Sequence, residues 1–219
     1  MKLVLAFHGT RDPRGALVCE EIASLVRSSV DVPVEVAYAD VRQPDVRSVV
    51  DGPAVVVPAF LAAGYHVRVD IPQQIGSRPD VVVTPPLGVD AVAAVRDRLR
   101  EAGFRRGDAV VLAAAGSSDV RALADVRRAA GLLGTSAVGY VATATPRVGD
   151  VVAEVRERRG MRGRRVAVAS WLLAPGVFHG SLAECGADLV SGPIGAHPLV
   201  VDVLVRRYYE ARAVLLQSA

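Results

Sequence analysis

The stretch Leu3-Val4-Leu5-Ala6-Phe7-His8-Gly9-Thr10-Arg11-Asp12 is written a second time, in degenerate form, as Val110-Val111-Leu112-Ala113-Ala114-Ala115-Gly116-Ser117-Ser118-Asp119. In each copy a continuous apolar run meets a glycine and then an aspartate. Such a run reads as a strand buried on both faces, and the turn after it reads as the opening of a helix. Two further echoes follow. Phe60-Leu61-Ala62-Ala63-Gly64-Tyr65-His66 returns as Leu172-Leu173-Ala174-Pro175-Gly176-Val177-Phe178, and Thr84-Pro85-Pro86-Leu87-Gly88 as Ser191-Gly192-Pro193-Ile194-Gly195. The spacing is 107 residues for the first and third echoes and 112 for the second, about half the chain. At both imidazole positions the second copy is apolar: His8 faces Ala115, and His66 faces Phe178.

Outward from these echoes, short β-branched runs alternate with longer amphipathic stretches. Strands are expected at residues 3–7, 34–39, 54–60 and 81–84 of the first copy, and at 109–114, 137–142, 165–170 and 188–190 of the second. Helices are expected near 14–29, 67–75 and 89–102, then 120–133, 148–159, 180–185 and 198–216. Pro72 strains the second of these, so that helix is expected to be short or broken. The pattern predicts an α/β protein of two tandem domains, each a parallel sheet flanked by helices. The natural cut is the turn Arg105-Arg106-Gly107-Asp108, giving an N-terminal domain of residues 1–105 and a degenerate C-terminal domain of residues 106–219. The run Arg158-Arg159-Gly160-Met161-Arg162-Gly163-Arg164-Arg165 reads as a solvated turn.

Composition excludes several classes. Of 219 residues, 51% are apolar, enough for a dense core. No window approaches the ~20 apolar residues of a membrane span, and the N-terminus enters a strand pattern without a signal stretch. Two cysteines offer no disulfide framework; with no export signal, the cytoplasm is the expected compartment. The net charge is +3, and Lys2 is the only lysine, so nearly all positive charge is arginine. No basic run interleaves with aromatics, which argues against nucleic acid as a partner. A small, highly acidic ligand fits better, because guanidinium forks suit carboxylates.

In open parallel sheets, ligands gather at the carboxyl ends of strands. His8 stands at the end of the first strand, Asp40 just past the second, and His66 a few residues past the third. Neutral imidazoles with a carboxylate can hold iron, cobalt, nickel or zinc, and the same groups can act as general bases. The plainer alternative is that both histidines are polar residues at loop mouths. His179, one place after the match to His66, and His197, before Pro198, read as structural or exposed. Residues 9–14 open the first helix, whose backbone amides favour anions, and Arg11, Arg14 and Arg68 can bond ligand carboxylates. Asp12 equally reads as an N-cap with Pro13 at the first helical position. Gly64-Tyr65 lets the backbone pass close to a flat ligand on which the ring can stack. His8-Gly9-Thr10-Arg11 is superficially similar to the Arg-His-Gly motif of histidine phosphatases, but the residue before His8 is Phe7, which cannot bind phosphate.

Three segments together resemble the sirohydrochlorin chelatase family, the class II tetrapyrrole chelatases, in its long, duplicated form. They are Phe7–Asp12, the run Pro58-Ala59-Phe60-Leu61-Ala62-Ala63-Gly64-Tyr65-His66-Val67-Arg68-Val69-Asp70-Ile71-Pro72, and the turn Pro86-Leu87-Gly88. With the echoes, the resemblance covers nearly the whole chain. It implies a pair of flavodoxin-like chelatase domains with a cleft between them that takes the flat macrocycle. It implies that His8 and His66 handle the metal and act catalytically, with Asp40 as a third metal ligand. Family members often carry glutamate there, so aspartate is a departure. Thr10 stands where serine is common, and joins Arg11, Arg14, Gly64, Tyr65 and Arg68 as the expected substrate-binding set. The implied reaction inserts Fe²⁺ into sirohydrochlorin to give siroheme, with Co²⁺ insertion for a corrinoid pathway as the rival and a non-catalytic metal or tetrapyrrole carrier as the alternative of another class. The metal is then a substrate and no permanent cofactor is implied; the internal duplication is compatible with a monomer.

Overall fold

The computed structural model describes residues 1–158 and 163–217; residues 159–162 of the charged turn expected at 158–165 therefore lie outside the described residues. The chain forms two compact units, Met1–Asp90 with the C-terminal segment from Ala196, and Ala91–Gly195.

In the first unit, β1 (Lys2–Phe7), β2 (Val34–Tyr38), β3 (Ala54–Pro58) and β4 (Val81–Val83) form a parallel sheet in the order β2-β1-β3-β4. Leu5 pairs with Val36 on one side and with Val57 on the other. Leu3 to Phe7 are at most 1% exposed, as befits a strand with neighbours on both edges and helices on both faces. Helix α1 (Pro13–Arg27) starts where Asp12 accepts the Arg14 amide and Pro13 fills a first-turn position that needs no N–H donor; it buries Cys19, Ile22, Ala23 and Val26. On the opposite face Val4, Ala6 and Val56 pack with Val46, Val49 and Ile71. Val46 and Val49 belong to α2 (Val46–Val49), capped by the Asp45 carboxylate on the Ser48 amide. The sequence reading lacked this helix, since a single turn is too short to show a 3.6-residue period.

The helix expected at 67–75 is continuous, but its first turn is wide: residues His66–Asp70 form a π-turn that runs into α3 (Ile71–Ile75). Pro72 has no N–H to close an α-helical bond onto the Arg68 carbonyl. The Ile71 amide instead donates to the carbonyl of His66, five residues back.

The second unit repeats the design. Strands β5 (Ala109–Ala114), β6 (Val138–Tyr140), β7 (Val166–Trp171) and β8 (Leu189–Val190) are parallel in the order β6-β5-β7-β8. Helix α5 (Val120–Leu133) is capped by Asp119 and stops at Gly134, whose φ of 94° continues no helix. Val111, Ala113 and Val168 pack against Val148, Val151, Val152 and Val155 of α6 (Val148–Glu157) and against Leu182. The short helix expected at 180–185 is α7 (Val177–Gly180) followed by a 3₁₀ turn at Ser181–Glu184.

The two units do not coincide with the two sequence copies. Helix α4 (Val92–Glu101) comes from the first copy, yet its apolar residues Val92, Ala94, Val95 and Leu99 are buried within the second unit, where it packs on β7 and α5. Helix α8 (Pro198–Gln217) ends the second copy but packs on β3 and α1 of the first unit, with Val200, Leu204 and Tyr208 fully buried. The Asp90 carboxylate accepts from Arg206 at 2.7 Å and from Arg207 at 3.0 Å, tying the last residue of the N-terminal segment to α8. Periodicity shows that a helix has an apolar face, not which sheet receives it. The expected cut at 105/106 thus falls inside the second unit. Its turn is anchored: Asp108 accepts from the Arg105 amide at 2.8 Å and from Arg165 Nη2 at 2.7 Å. No helix among the described residues is long and apolar enough to cross a membrane.

Candidate metal site

Because β1 lies between β2 and β3, the segments leaving these strands start side by side. The first two stay in register past the sheet: Ala39 N–H donates to the Phe7 carbonyl at 2.8 Å and Asp40 N–H to the His8 carbonyl at 3.1 Å. This close approach needs a glycine after His8. Gly9 has φ +93°, and a Cβ there would lie 2.3 Å from the Asp40 carbonyl oxygen. Beyond Asp40 the chain turns through Val41 at φ 69°, a strained value for a β-branched residue. One carboxylate oxygen of Asp40 accepts the Val41 amide at 2.7 Å, which orients the group and leaves its other oxygen for a ligand. From the third strand, residues Ala59 to Tyr65 lead to the π-turn, which His66 opens.

These three segments bring His8, Asp40 and His66 together, each offering one ligand atom, all within 4.8 Å of one another. Among the described residues no other group of histidine, cysteine and carboxylate side chains is so placed. Two ligands across one ion at about 2.1 Å stand up to about 4.2 Å apart, so small side-chain rotations suffice to close the set on a metal. The imidazole rings meet edge to face, with centroids 4.5 Å apart at 83°. His8 Nδ1 lies 3.0 Å from the Gly9 carbonyl and His66 Nδ1 lies 2.5 Å from Asp70 Oδ2. Both partners only accept, so in the neutral rings Nδ1 is the protonated nitrogen and Nε2 is left with a lone pair for a metal. Phe60 flanks both imidazoles, at 6.2 Å from His8 and 6.3 Å from His66, and Tyr65 meets His66 edge-on at 6.2 Å. His8 and Asp40 are exposed and His66 is half-buried, so an ion can arrive from solvent. No thiol competes: Cys19 is buried in the α1 face, and burial pushes its thiol up to about 12.

The expected substrate-binding residues are placed less uniformly. Tyr65 is 56% exposed beside His66, open to stacking. Gly64 accepts the Arg68 amide at 3.0 Å, and the Arg68 Nε donates to the Ala63 carbonyl at 2.7 Å, so this arginine braces its own loop. Thr10 Oγ1 accepts the Asp12 amide, and the Thr10 carbonyl accepts Arg42 Nη1 at 3.0 Å. Arg14 holds Asp12 with two nitrogens, at 3.1 and 2.7 Å. Arg11 is exposed at the start of the same turn. Two residues escaped the sequence reading. Arg42 stands 5.9 Å over the Tyr38 ring and ties the β2 exit to the β1 exit. Asp70, four residues after His66, is the histidine's carboxylate partner, and a histidine and aspartate at that spacing on one helix was the available signal. The remaining histidines hold structure: His179 Nε2 donates to the Ser191 carbonyl at 3.1 Å, and His197 Nδ1 accepts the Leu199 amide at the start of α8.

The second unit keeps the frame and lacks the ligands. Ala142 N–H donates to the Ala115 carbonyl at 2.9 Å, as Asp40 does to His8. Gly116 has φ +97°, and a Cβ there would lie 2.1 Å from the Ala142 carbonyl oxygen. Arg121 grips Asp119 as Arg14 grips Asp12. His8 and Asp40 therefore answer to Ala115 and Ala142 in the backbone frame, and His66 to Phe178 in the sequence echo. The loss of the carboxylate position was readable from Tyr38-Ala39-Asp40 against Tyr140-Val141-Ala142, each followed at the same distance by a proline.

The chain matches the CbiX family model over residues 2–102 and again over 109–211. A protein named sirohydrochlorin cobaltochelatase from Methanothermobacter thermautotrophicus is 29% identical over 130 residues, 46% of this chain and 91% of the relative. One of the same name from Methanopyrus kandleri is 38% identical over 86 residues, 36% of this chain and 60% of the relative. Among solved structures, SirB from Bacillus subtilis with Fe³⁺ superposes with a TM-score of 0.81 at 22% identity, over 97% of this chain and 95% of that one. The structure of CbiX described as the terminal enzyme for siroheme biosynthesis in denitrifying bacteria superposes with a TM-score of 0.66 at 19% identity, over 96% and 98%. At such identities the two structures speak for the fold.

Proposed function

The chain belongs to the CbiX family, and from that premise we propose that it is a chelatase that inserts a divalent metal ion into sirohydrochlorin. The observation that carries the reading is the convergence of His8, Asp40 and His66 at the carboxyl ends of three adjacent strands. Metal insertion requires that the ion lose water, meet the pyrrole nitrogens and displace two N–H protons. Two imidazoles and one carboxylate replace part of the hydration shell with ligands suited to iron or cobalt. Because His8 and Asp40 are exposed, the set holds the ion without enclosing it, which a site that must release its metal requires. Once the metal moves to the macrocycle, the Nε2 lone pairs of His8 and His66 are freed and can accept the two displaced protons. Tyr65 offers a stacking face to the flat ring, and Arg11 offers charge to its carboxylates. The metal is here a substrate.

Fe²⁺ is the metal we propose first, giving siroheme. Co²⁺ is the second reading, favoured by the name cobaltochelatase that both curated relatives carry. The donor set accepts either ion. Anaerobic incubation with sirohydrochlorin and limiting Fe²⁺ or Co²⁺, followed by the absorbance change on metalation, tests both. Multiple turnovers above the uncatalysed rate support the chelatase. Saturation at one equivalent would instead identify a carrier.

A further inference from the structure

His66 is held from behind. Its Nδ1 lies 2.5 Å from Asp70 Oδ2, and the two side chains are only 28% and 23% exposed, so the contact is largely shielded from solvent. Among the described residues no arginine or lysine forms an ion pair with Asp70, and its carboxylate contacts His66. The two residues begin and end the π-turn, a rare local geometry that recurs at functional sites. In the second copy, at the spacing that relates His66 to Phe178, Asp70 answers to Leu182, which is fully buried among apolar side chains. The carboxylate and the imidazole are thus present together in one copy and absent together from the other.

Resting on the reading of His66 as a metal ligand, we propose that Asp70 is a positioning residue for the metal site. Its carboxylate takes the Nδ1 proton in a hydrogen bond and so fixes the His66 tautomer. The lone pair then stands at Nε2, and the ring is kept from turning its N–H toward the ion. A carboxylate in this position also makes the imidazole a stronger donor. His8 has only the neutral Gly9 carbonyl in the equivalent role, so the two histidines are unequal ligands, with His66 the tighter one.

Two measurements on the full chain test this, neither needing the tetrapyrrole. Long-range ¹H–¹⁵N spectra of the metal-free protein near pH 8 should show His66 as the Nδ1–H tautomer, assigned by its loss in His66→Ala. In Asp70→Ala the signal should move to the Nε2–H form that unconstrained histidine favours. Titration with Co²⁺, followed by its visible absorption, should show roughly 10- to 100-fold weaker binding in Asp70→Ala, with an altered band shape. Asp70→Asn keeps the packing and loses the charge, and should weaken Co²⁺ about 10-fold, the low end of that range of outer-shell effects. Unchanged tautomer and Co²⁺ binding within twofold of wild type in both variants would overturn the proposal. If His66→Ala binds Co²⁺ as wild type does, the ligand reading itself fails, and the tautomer spectra still report separately whether Asp70 sets the ring.

Discussion

Asp40 hangs from His8 by the backbone, its amide donating to the histidine carbonyl at 3.1 Å, and the second unit repeats that bond between Ala142 and Ala115 at 2.9 Å. The main-chain frame is therefore common to both units, and what distinguishes them is the side chains mounted on it. This gives the first prediction. His8→Ala and His66→Ala should each lower metalation turnover by roughly 10²-fold or more, the range for loss of a positioned acid–base group. Asp40→Ala should act mainly through metal affinity. Thermal midpoints should stay close to wild type, because His8 and Asp40 are exposed and His66 is only half-buried. Full activity in either histidine variant would sink the site assignment.

Gly9→Ala should damage the site without touching a ligand. A methyl group there meets the Asp40 carbonyl oxygen at 2.3 Å, and φ +93° is itself unfavourable for alanine, a conformational cost of about 1–2 kcal/mol. Gly116→Ala meets the same obstacle at 2.1 Å from Ala142. Both variants should lower the melting temperature by at least ~3 °C. Only Gly9→Ala should also weaken Co²⁺ binding, since only its neighbour carries a ligand. Equal Co²⁺ affinities in the pair would break the link between this backbone contact and the metal site.

Much of this was legible beforehand. The continuous apolar runs located all eight strands found among the described residues, because burial on both faces leaves no polar alternation to confuse the pattern. Placing His8, Asp40 and His66 at strand exits needed only the rule that consecutive parallel strands share an active edge. Asp70 was missed although it stands four residues after His66, because that spacing puts two side chains on one helix face without stating that they meet. The exchange of α4 and α8 between units was missed because an apolar helix face does not name its sheet. Arg14 shows a further limit: a fork suited to an incoming carboxylate suits the neighbouring Asp12 equally well.

His197→Ala should cost stability and leave chemistry alone. The ring nitrogen accepts the Leu199 amide, serving the start of α8 as an N-cap. Removing such a cap costs about 1 kcal/mol, or roughly 2–4 °C in a chain of this size. Turnover at 25 °C should remain near wild type. A large loss of rate with an unchanged melting temperature would place His197 in the site after all.

Acid should unfold the second unit partly through Asp108. The side-chain hydrogen bond from Arg165, aided by the Arg105 amide, holds this carboxyl below its ordinary 3.8. The folded state therefore binds this proton less readily than the unfolded state. The stabilisation is complete well above 3.8 and is lost as pH falls through the lower folded value. Asp188, lowered first by the Val166 amide, acts in the same direction. Thermal midpoints measured from pH 7 to 3 should be level near neutrality and fall below about pH 4. Asp108→Asn should start lower at pH 7 and fall less steeply. An acid slope identical to wild type would remove Asp108 from the account.

The arginines of the first turn should separate under substrate titration. Arg14 is committed to Asp12, and Arg121 makes the same grip on Asp119 in the unit that lacks the metal ligands. A pair retained on both sides of that difference serves the helix start, not the ligand. Arg11 is exposed on the same turn and next to Thr10, whose hydroxyl is already used by the Asp12 amide. Arg11→Ala should therefore raise KM for sirohydrochlorin about 3- to 10-fold with kcat little changed, as loss of one partly exposed charge-assisted contact implies. The effect should shrink as salt rises, because exposed charges are screened. Arg14→Ala should move KM less than twofold and instead lower the melting temperature by ~1–3 °C, the cost of loosening a surface-capped helix. A larger KM effect from Arg14 than from Arg11 would mean that Asp12 surrenders its partner when the macrocycle arrives, and that the first turn reorganises on binding.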